Sequence, residues 1–241
     1  MRVPLVTRET VRRNPQYEGA LRVNVHLINP SHVSFGTAVI TPRWQYVLAG
    51  ATPKSFGDPI YDPLWAAAQD LDLAVGLHLV GHAHYPGSEY FRGRDPGFMW
   101  VTMNVIQDPR IALATMVYDG VFERFPRLRV ATVEAMAGWV GEWLERFEYR
   151  YKYMKHTSRM KRSPTEYFAR NIWVSGDPEE RMFPIVVRFA GDDKFFIGSD
   201  YPHAEGFVDP VRSARERLSS LPAKSVDKIL CINARKFYRI S

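Results

Sequence analysis

Cysteine is almost missing from this chain: Cys231 stands alone in 241 residues. A single thiol excludes an internal disulfide framework and suits a reducing, cytoplasmic setting. Also missing is an apolar run of the roughly 20 residues that a membrane-spanning helix needs. The opening stretch, MRVPLVTRETVRRNPQ, scatters Arg and Glu through its length and offers no apolar h-region, so no signal peptide is expected. Nor does the composition have the polarity of a disordered chain, with 46% hydrophobic and 24% charged residues. A chain of this length buries a substantial core, arranged as one large domain or two small ones.

The formal charge of +6 raises the question of an anionic partner. Much of the excess lies in YRYKYMKHTSRMKR, residues 149–162, where basic residues alternate with aromatics. Single-strand nucleic-acid binders combine cations with stacking rings, but they present them on sheets or in channels rather than at a helix end. Here Trp139, Trp143, Phe147, Tyr151 and Met154 recur at three- and four-residue spacing, the stripe of an amphipathic helix. The segment therefore reads as a solvated basic face packed through its aromatics, with no nucleic acid and no membrane among the expected partners.

A recurring helix start organises the rest. DPLWAAAQ from Asp62, DPRIALATMV from Asp108, SPTEYFAR from Ser163, DPEERMF from Asp177 and DPVRSARERL from Asp209 each place a capping residue before a proline. Between them lie β-rich runs: LRVNVHL from Leu21, LAVGLHLV from Leu73, RVATVE from Arg129, NIWVS from Asn171 and KFFIGSD from Lys194. Several are continuously apolar, as strands covered on both faces are. Strands alternating with helices predict an α/β fold of βα units around a parallel sheet or barrel.

In such folds chemistry gathers where the strands end. The second run ends on His78, the third on Glu134, the fourth on Ser175 with Asp177 just beyond, and the last on Asp200. Any one of these alone reads as a satisfied structural residue. Their shared placement argues for a common mouth. The loop after His78 adds His82 and His84, a His-x-His pair that could reach a metal if it lay on a strand; in a Gly-rich loop the spacing says less. His26 and His32 carry less weight, and His156 belongs to the basic segment.

With these residues in place, the chain resembles the amidohydrolase-related family, in the branch that contains aminocarboxymuconate-semialdehyde decarboxylase and related aromatic-acid decarboxylases. The resemblance rests on GDPIYDPLWAAAQDLDLAVGLH, on DGVFERFPRLRVATVEAMAGWVGEWLERFE, on FFIGSDYPHAEG and on the closing KILCINARKFYRI. It implies a TIM-like (β/α) barrel, here a single domain over residues 1–241. It makes His78 a metal ligand, and Asp200 both a ligand and the carboxylate that handles a proton. Zn²⁺ suits an imidazole nitrogen and a carboxylate oxygen. Glu134 stands where the decarboxylases carry a catalytic histidine, which makes it a proton shuttle or a further ligand. His203 and Trp139 would line a site for a small carboxylated, aromatic substrate.

The family's first strand ends in His-x-His or Glu-x-His, and nothing before His26 supplies that pair. The barrel is therefore expected to be incomplete at its N-terminus, since a closed one needs about eight strands. Unpaired strand edges would favour a homo-oligomer. Two classes of function follow: a metal-dependent hydrolase or non-oxidative decarboxylase, or a non-catalytic barrel remnant that binds or assembles. The retained strand-end residues favour the first.

Overall fold

Only Pro30 and Ser31 separate two β-rich segments near the front of the chain, and parallel strands need a crossover of a dozen or more residues. Those segments must pair antiparallel, and they do. The computed structural model describes residues 21–29, 32–40, 44–48, 54–78, 102, 107–200 and 206–240, the first three stretches as backbone. In it β1 (Leu21–Asn29) and β2 (His32–Ile40) form a hairpin with Asn29 opposite His32. β2 pairs antiparallel with β3 (Trp44–Leu48). The Leu21 run is thus the outer strand of a hairpin, not the first strand of a βα repeat, and β2 and β3 add to the strands the sequence suggested.

From β3 onward every pairing is parallel: β4 (Ala74–His78), β5 (Arg129–Val133), β6 (Ile172–Gly176) and β7 (Phe195–Ile197) follow in chain order. Among the described residues the sheet has seven strands, ordered as they occur in the sequence. A doubly wound sheet reverses its strand order at a switch point, whereas a barrel wall advances in one direction. The described parallel strands are such a wall.

Helices fill each crossover. α1 (Asp62–Asp70) lies between β3 and β4, while α2 (Gln107–Tyr118) and α3 (Val121–Arg124) lie between β4 and β5. α4 (Trp139–Met154) and α5 (Pro164–Asn171) join β5 to β6. α6 (Phe183–Ala190) precedes β7; α7 (Pro210–Arg217), α8 (Ala223–Asp227), a π-helical turn (Lys228–Ile232) and α9 (Asn233–Tyr238) follow it. Ser163 closes a full capping box with Glu166, and Asp209 accepts the Arg212 N–H, as the helix-start pattern predicts. Asp62 and Asp108 fall inside the first turns of α1 and α2 instead of preceding them, and DPEERMF breaks the pattern outright. The chain turns through residues 177–182, and the helix begins only at Phe183.

Alternation along the strands sorts two apolar layers. Val75, Leu77, Val130, Ile172, Val174 and Phe195 face the helices, packing with residues such as Trp65, Met116, Val140 and Phe183. Ala74, Ala131, Trp173 and Phe196 face the other way and cluster with Phe237. The Phe237 ring stacks on Phe196 at 5.5 Å and lies 5.3 Å from Trp173. Arg129 Nε–H donates to the Phe237 carbonyl at 3.0 Å, and its guanidinium also pairs with Asp72. Asn233 Nδ2 donates to the carbonyls of Asp192, at 2.6 Å, and Phe195, at 2.8 Å. The C-terminal helix thereby covers the start of the strands and leaves their carboxyl ends to the site.

The aromatic stripe of α4 runs as predicted at its start. Trp139 and Trp143 are buried and meet edge to face at 5.7 Å, and Phe147 stacks on Trp143 at 4.6 Å. Met154, at the far end, is 46% exposed, so the helix leaves the core before the stripe is complete. Beyond it the basic segment is solvated, with Arg150, Lys152 and Lys155 lying over neighbouring tyrosine rings.

Candidate active site

His78 is the last residue of β4, and the register sets it beside Val133, so the next residue of the neighbouring strand is Glu134. Their side chains meet: His78 Nε2 lies 2.9 Å from Glu134 Oε1, with exposures of 26% and 28%. Glu134 has φ of 56° and Met136 of 57°, left-handed values that non-glycine residues adopt only where their surroundings enforce it. The chain thus turns sharply at the strand end and aims the carboxylate at the imidazole.

Asp200 shares that backbone class, with φ of 54°. Gly198 lets it approach: its N–H donates to the Gly176 carbonyl at 3.3 Å, and a Cβ there would sit 3.0 Å from Ser175 Oγ. Asp177, two residues past Ser175, joins the group. Burial pushes its carboxyl above the usual range, and the charges of Asp200 and Glu134 push it the same way. His78 and Glu134 thus meet at the ends of β4 and β5, and Asp177 and Asp200 follow β6 and β7, Asp177 close enough to feel the charges of Asp200 and Glu134. Like charges so gathered favour a divalent cation or a retained proton.

The loop after Glu134 has a support that sequence reasoning misses. Glu180, in the turn after β6, accepts the Ala137 N–H at 2.8 Å and also accepts the Gly138 N–H. Burial pushes its carboxyl up, against those two bonds, which favour the charged form. Its partners are main-chain amides 43 and 42 residues away, so no local spacing marks it. Trp139 stands at the start of α4, and its Nε1–H donates to the Met136 carbonyl at 2.9 Å. That bond ties the ring to the Glu134 loop.

His203, His82 and His84 lie outside the described residues. Among the described residues no three His, Cys, Asp or Glu side chains form a ready metal cage. The donors present, an imidazole and oxygens, suit Zn²⁺ or Mn²⁺. A cation taking His78 through Nε2 would compete with Glu134 for that nitrogen. A cavity of about 360 Å³ lies away from this site, along α4 and the turn after it, lined by Tyr118, Phe147 and Tyr151 with Arg146 and Arg150. No helix among the described residues is long and apolar enough to cross a membrane.

The order of the parallel strands agrees with an independent match. The amidohydrolase family profile covers residues 47–240. The chain belongs to the amidohydrolase family. It is 24% identical over 190 residues to 2-amino-3-carboxymuconate-6-semialdehyde decarboxylase of Dictyostelium discoideum, a match covering 76% of this chain and 50% of that protein. The crystal structure of an amidohydrolase from Mycobacterium avium subsp. paratuberculosis K-10 superposes with a TM-score of 0.67 and 27% identity, over 78% of this chain and 47% of that one. A dihydroxybenzoic acid decarboxylase from Polaromonas sp. JS666, solved with manganese and 2-nitroresorcinol, gives a TM-score of 0.61 and 20% identity, over 79% and 57%. This amidohydrolase chain spans about half the length of the first two relatives.

Proposed function

We propose that the chain provides one wall and much of the active site of a metal-dependent carboxy-lyase or hydrolase acting on a small carboxylated, aromatic substrate. The observation that carries this reading is the His78–Glu134 pair at adjacent parallel strand ends, with Asp177 and Asp200 following the next two strands. The whole sequence, residues 1–241, reads as one barrel domain in the cytoplasm.

His78 and Asp200 would hold the metal, Zn²⁺ by donor chemistry or Mn²⁺ as in the Polaromonas relative. When bound, the ion supplies positive charge that orients a substrate carboxylate and stabilises negative charge as a bond breaks. Loss of CO₂ from an aryl carboxylate leaves a carbon that must take up a proton. Glu134, whose Oε1 lies within hydrogen-bonding distance of His78 Nε2, would carry that proton on its carboxyl group and deliver it to the ring carbon. If the reaction is instead a hydrolysis, Asp200 accepts the proton of the attacking water. His203 and Trp139 are assigned to the walls around the substrate.

The test is to incubate residues 1–241 with Mn²⁺ or Zn²⁺ and a panel of hydroxybenzoates, following CO₂ release and ring absorbance. Metal-dependent loss of CO₂ is expected, abolished by a chelator and restored by added ion. A second reading, a non-catalytic binding or assembly protein, draws on the absence of a three-ligand cage among the described residues. No turnover and no metal uptake by the pure protein would select it.

A further inference from the structure

Glu180 is 6% exposed, an unusual place for a carboxylate unless something there needs its charge. What it meets is backbone. Oε2 accepts the Ala137 N–H and Oε1 the Gly138 N–H. Those amides immediately precede α4, whose N-cap residue, Gly138, has no side chain to cap the first turn. A helix start leaves amides without partners, and a carboxylate complements its dipole. The acid that caps α4 thus comes from a different crossover.

The capped amides also lie a few residues past Glu134, in the connection where Glu134 and Met136 are both left-handed. The fit is close enough to dictate sequence: a Cβ on Gly138 would fall 2.8 Å from Glu180 Oε1 and 2.9 Å from Met182 Cβ. Glu180 is itself fixed in a turn, its N–H donating to the Asp177 carbonyl at 3.1 Å and its carbonyl accepting from Phe183 N–H at 3.3 Å. One rigid turn after β6 therefore grips the strained turn after β5.

We propose that Glu180 is a positioning residue: by holding the Ala137 and Gly138 amides it keeps the left-handed loop in place and presents Glu134 to His78. This rests on the reading of Glu134 as the residue that moves a proton, and deepens it by naming what aims that residue. Gln at 180 would turn an NH₂ group towards one of the two N–H donors, and Asp is one methylene too short to reach both.

The experiment compares the full chain with E180Q, E180D, E134Q and the E180Q/E134Q double variant. Amide hydrogen exchange at Ala137 and Gly138 reads the clamp, and the His78 Nε2–H resonance in ¹⁵N-edited spectra reads the pairing with Glu134. E180Q is expected to speed exchange at both amides about tenfold or more, the equilibrium effect of losing a charge-assisted hydrogen bond. In the metal-free protein it should also shift and broaden the His78 resonance at least as far as E134Q does, since Gln at 134 still accepts that bond, with E180D intermediate and folded. With a hydroxybenzoate and Mn²⁺, the double variant should turn over no more slowly than E134Q alone, because the two residues act through one group. Unchanged exchange overturns the clamp. Faster exchange with the His78 resonance intact, or additive losses of turnover, reduces Glu180 to a helix cap. If no variant, nor the parent, turns anything over, the proposed reaction falls, while exchange and the His78 resonance still decide the clamp.

Discussion

A glutamate held in left-handed backbone 2.9 Å from a histidine is an expensive arrangement, since such backbone costs about 1–3 kcal/mol per residue. If Glu134 moves the proton, Glu134→Gln should leave metal content and unfolding midpoint near those of the parent and lower turnover by about 10²-fold or more. Elemental analysis, urea titration and the CO₂ assay on one preparation separate the outcomes: lost metal makes Glu134 a ligand, and full activity makes it structural. His78→Ala and Asp200→Ala should each weaken Mn²⁺ and Zn²⁺ uptake at least tenfold in calorimetric titration, an estimate from the effect of losing a coordinating partner. Equal affinity in both variants would remove the proposed ligands. Lys194 offers a prediction away from the site. Burial pushes its ammonium down to about 8, although it lies 3.5 Å above the Trp173 ring, which favours the charge. Between pH 8 and the ordinary value of 10.5 the unfolded chain binds the extra proton, so this residue's cost to stability is relieved as pH rises through that window. Lys194→Met should therefore be more stable than the parent at pH 7, by a margin that narrows towards pH 10.5 in paired urea titrations. The placing of His78, Glu134 and Asp200 at or just past strand ends was legible because an ionisable residue ending an apolar run is visible in one dimension. Glu180 was not, because it serves main-chain amides that have no signature of their own.

Among the elements, the most legible were those with local chemistry. The Ser163 capping box and the Asp209 cap need only a few neighbouring residues, and both formed as expected. β1 and β2 were harder: the Leu21 run is expected within a βα repeat and β2 is not expected at all, although a two-residue connection already requires antiparallel pairing. The helix start expected at Asp177 failed for a tertiary reason, since that turn is shaped to lodge Glu180 against α4. The C-terminal helix turns on one side chain. Asn233 is fully buried and joins α9 to the carbonyls of Asp192 and Phe195. Asn233→Leu keeps the approximate volume and strands both acceptors, so a loss of about 2–4 kcal/mol is expected in urea unfolding, the cost of two unmade buried hydrogen bonds. A change under about 0.5 kcal/mol would mean that water replaces the amide.

At the scale of the molecule, the described sheet has β1 at one side and β7 at the other. A nine-residue outer strand is a template for pairing with another chain. Residues 1–241 are accordingly expected to elute as a homo-oligomer in size-exclusion chromatography with light scattering; a monodisperse monomer would show that β1 is already covered. The run of parallel strands was readable from the alternation of apolar runs and helix starts and its barrel form only from the family resemblance, whereas what fills its inner face was not readable, because Phe237 reaches Trp173 and Phe196 from a helix far along the chain. That placement bears on time as well as on stability. Arg129 and Phe237 are 108 residues apart in sequence and bonded in space. Rings on β6 and β7 consequently stay bare until the distant helix arrives, and closure of so long a loop slows the search for the native state. The chain should fold slowly, and in the interval before α9 docks it should be prone to capture by chaperones or by other copies of itself.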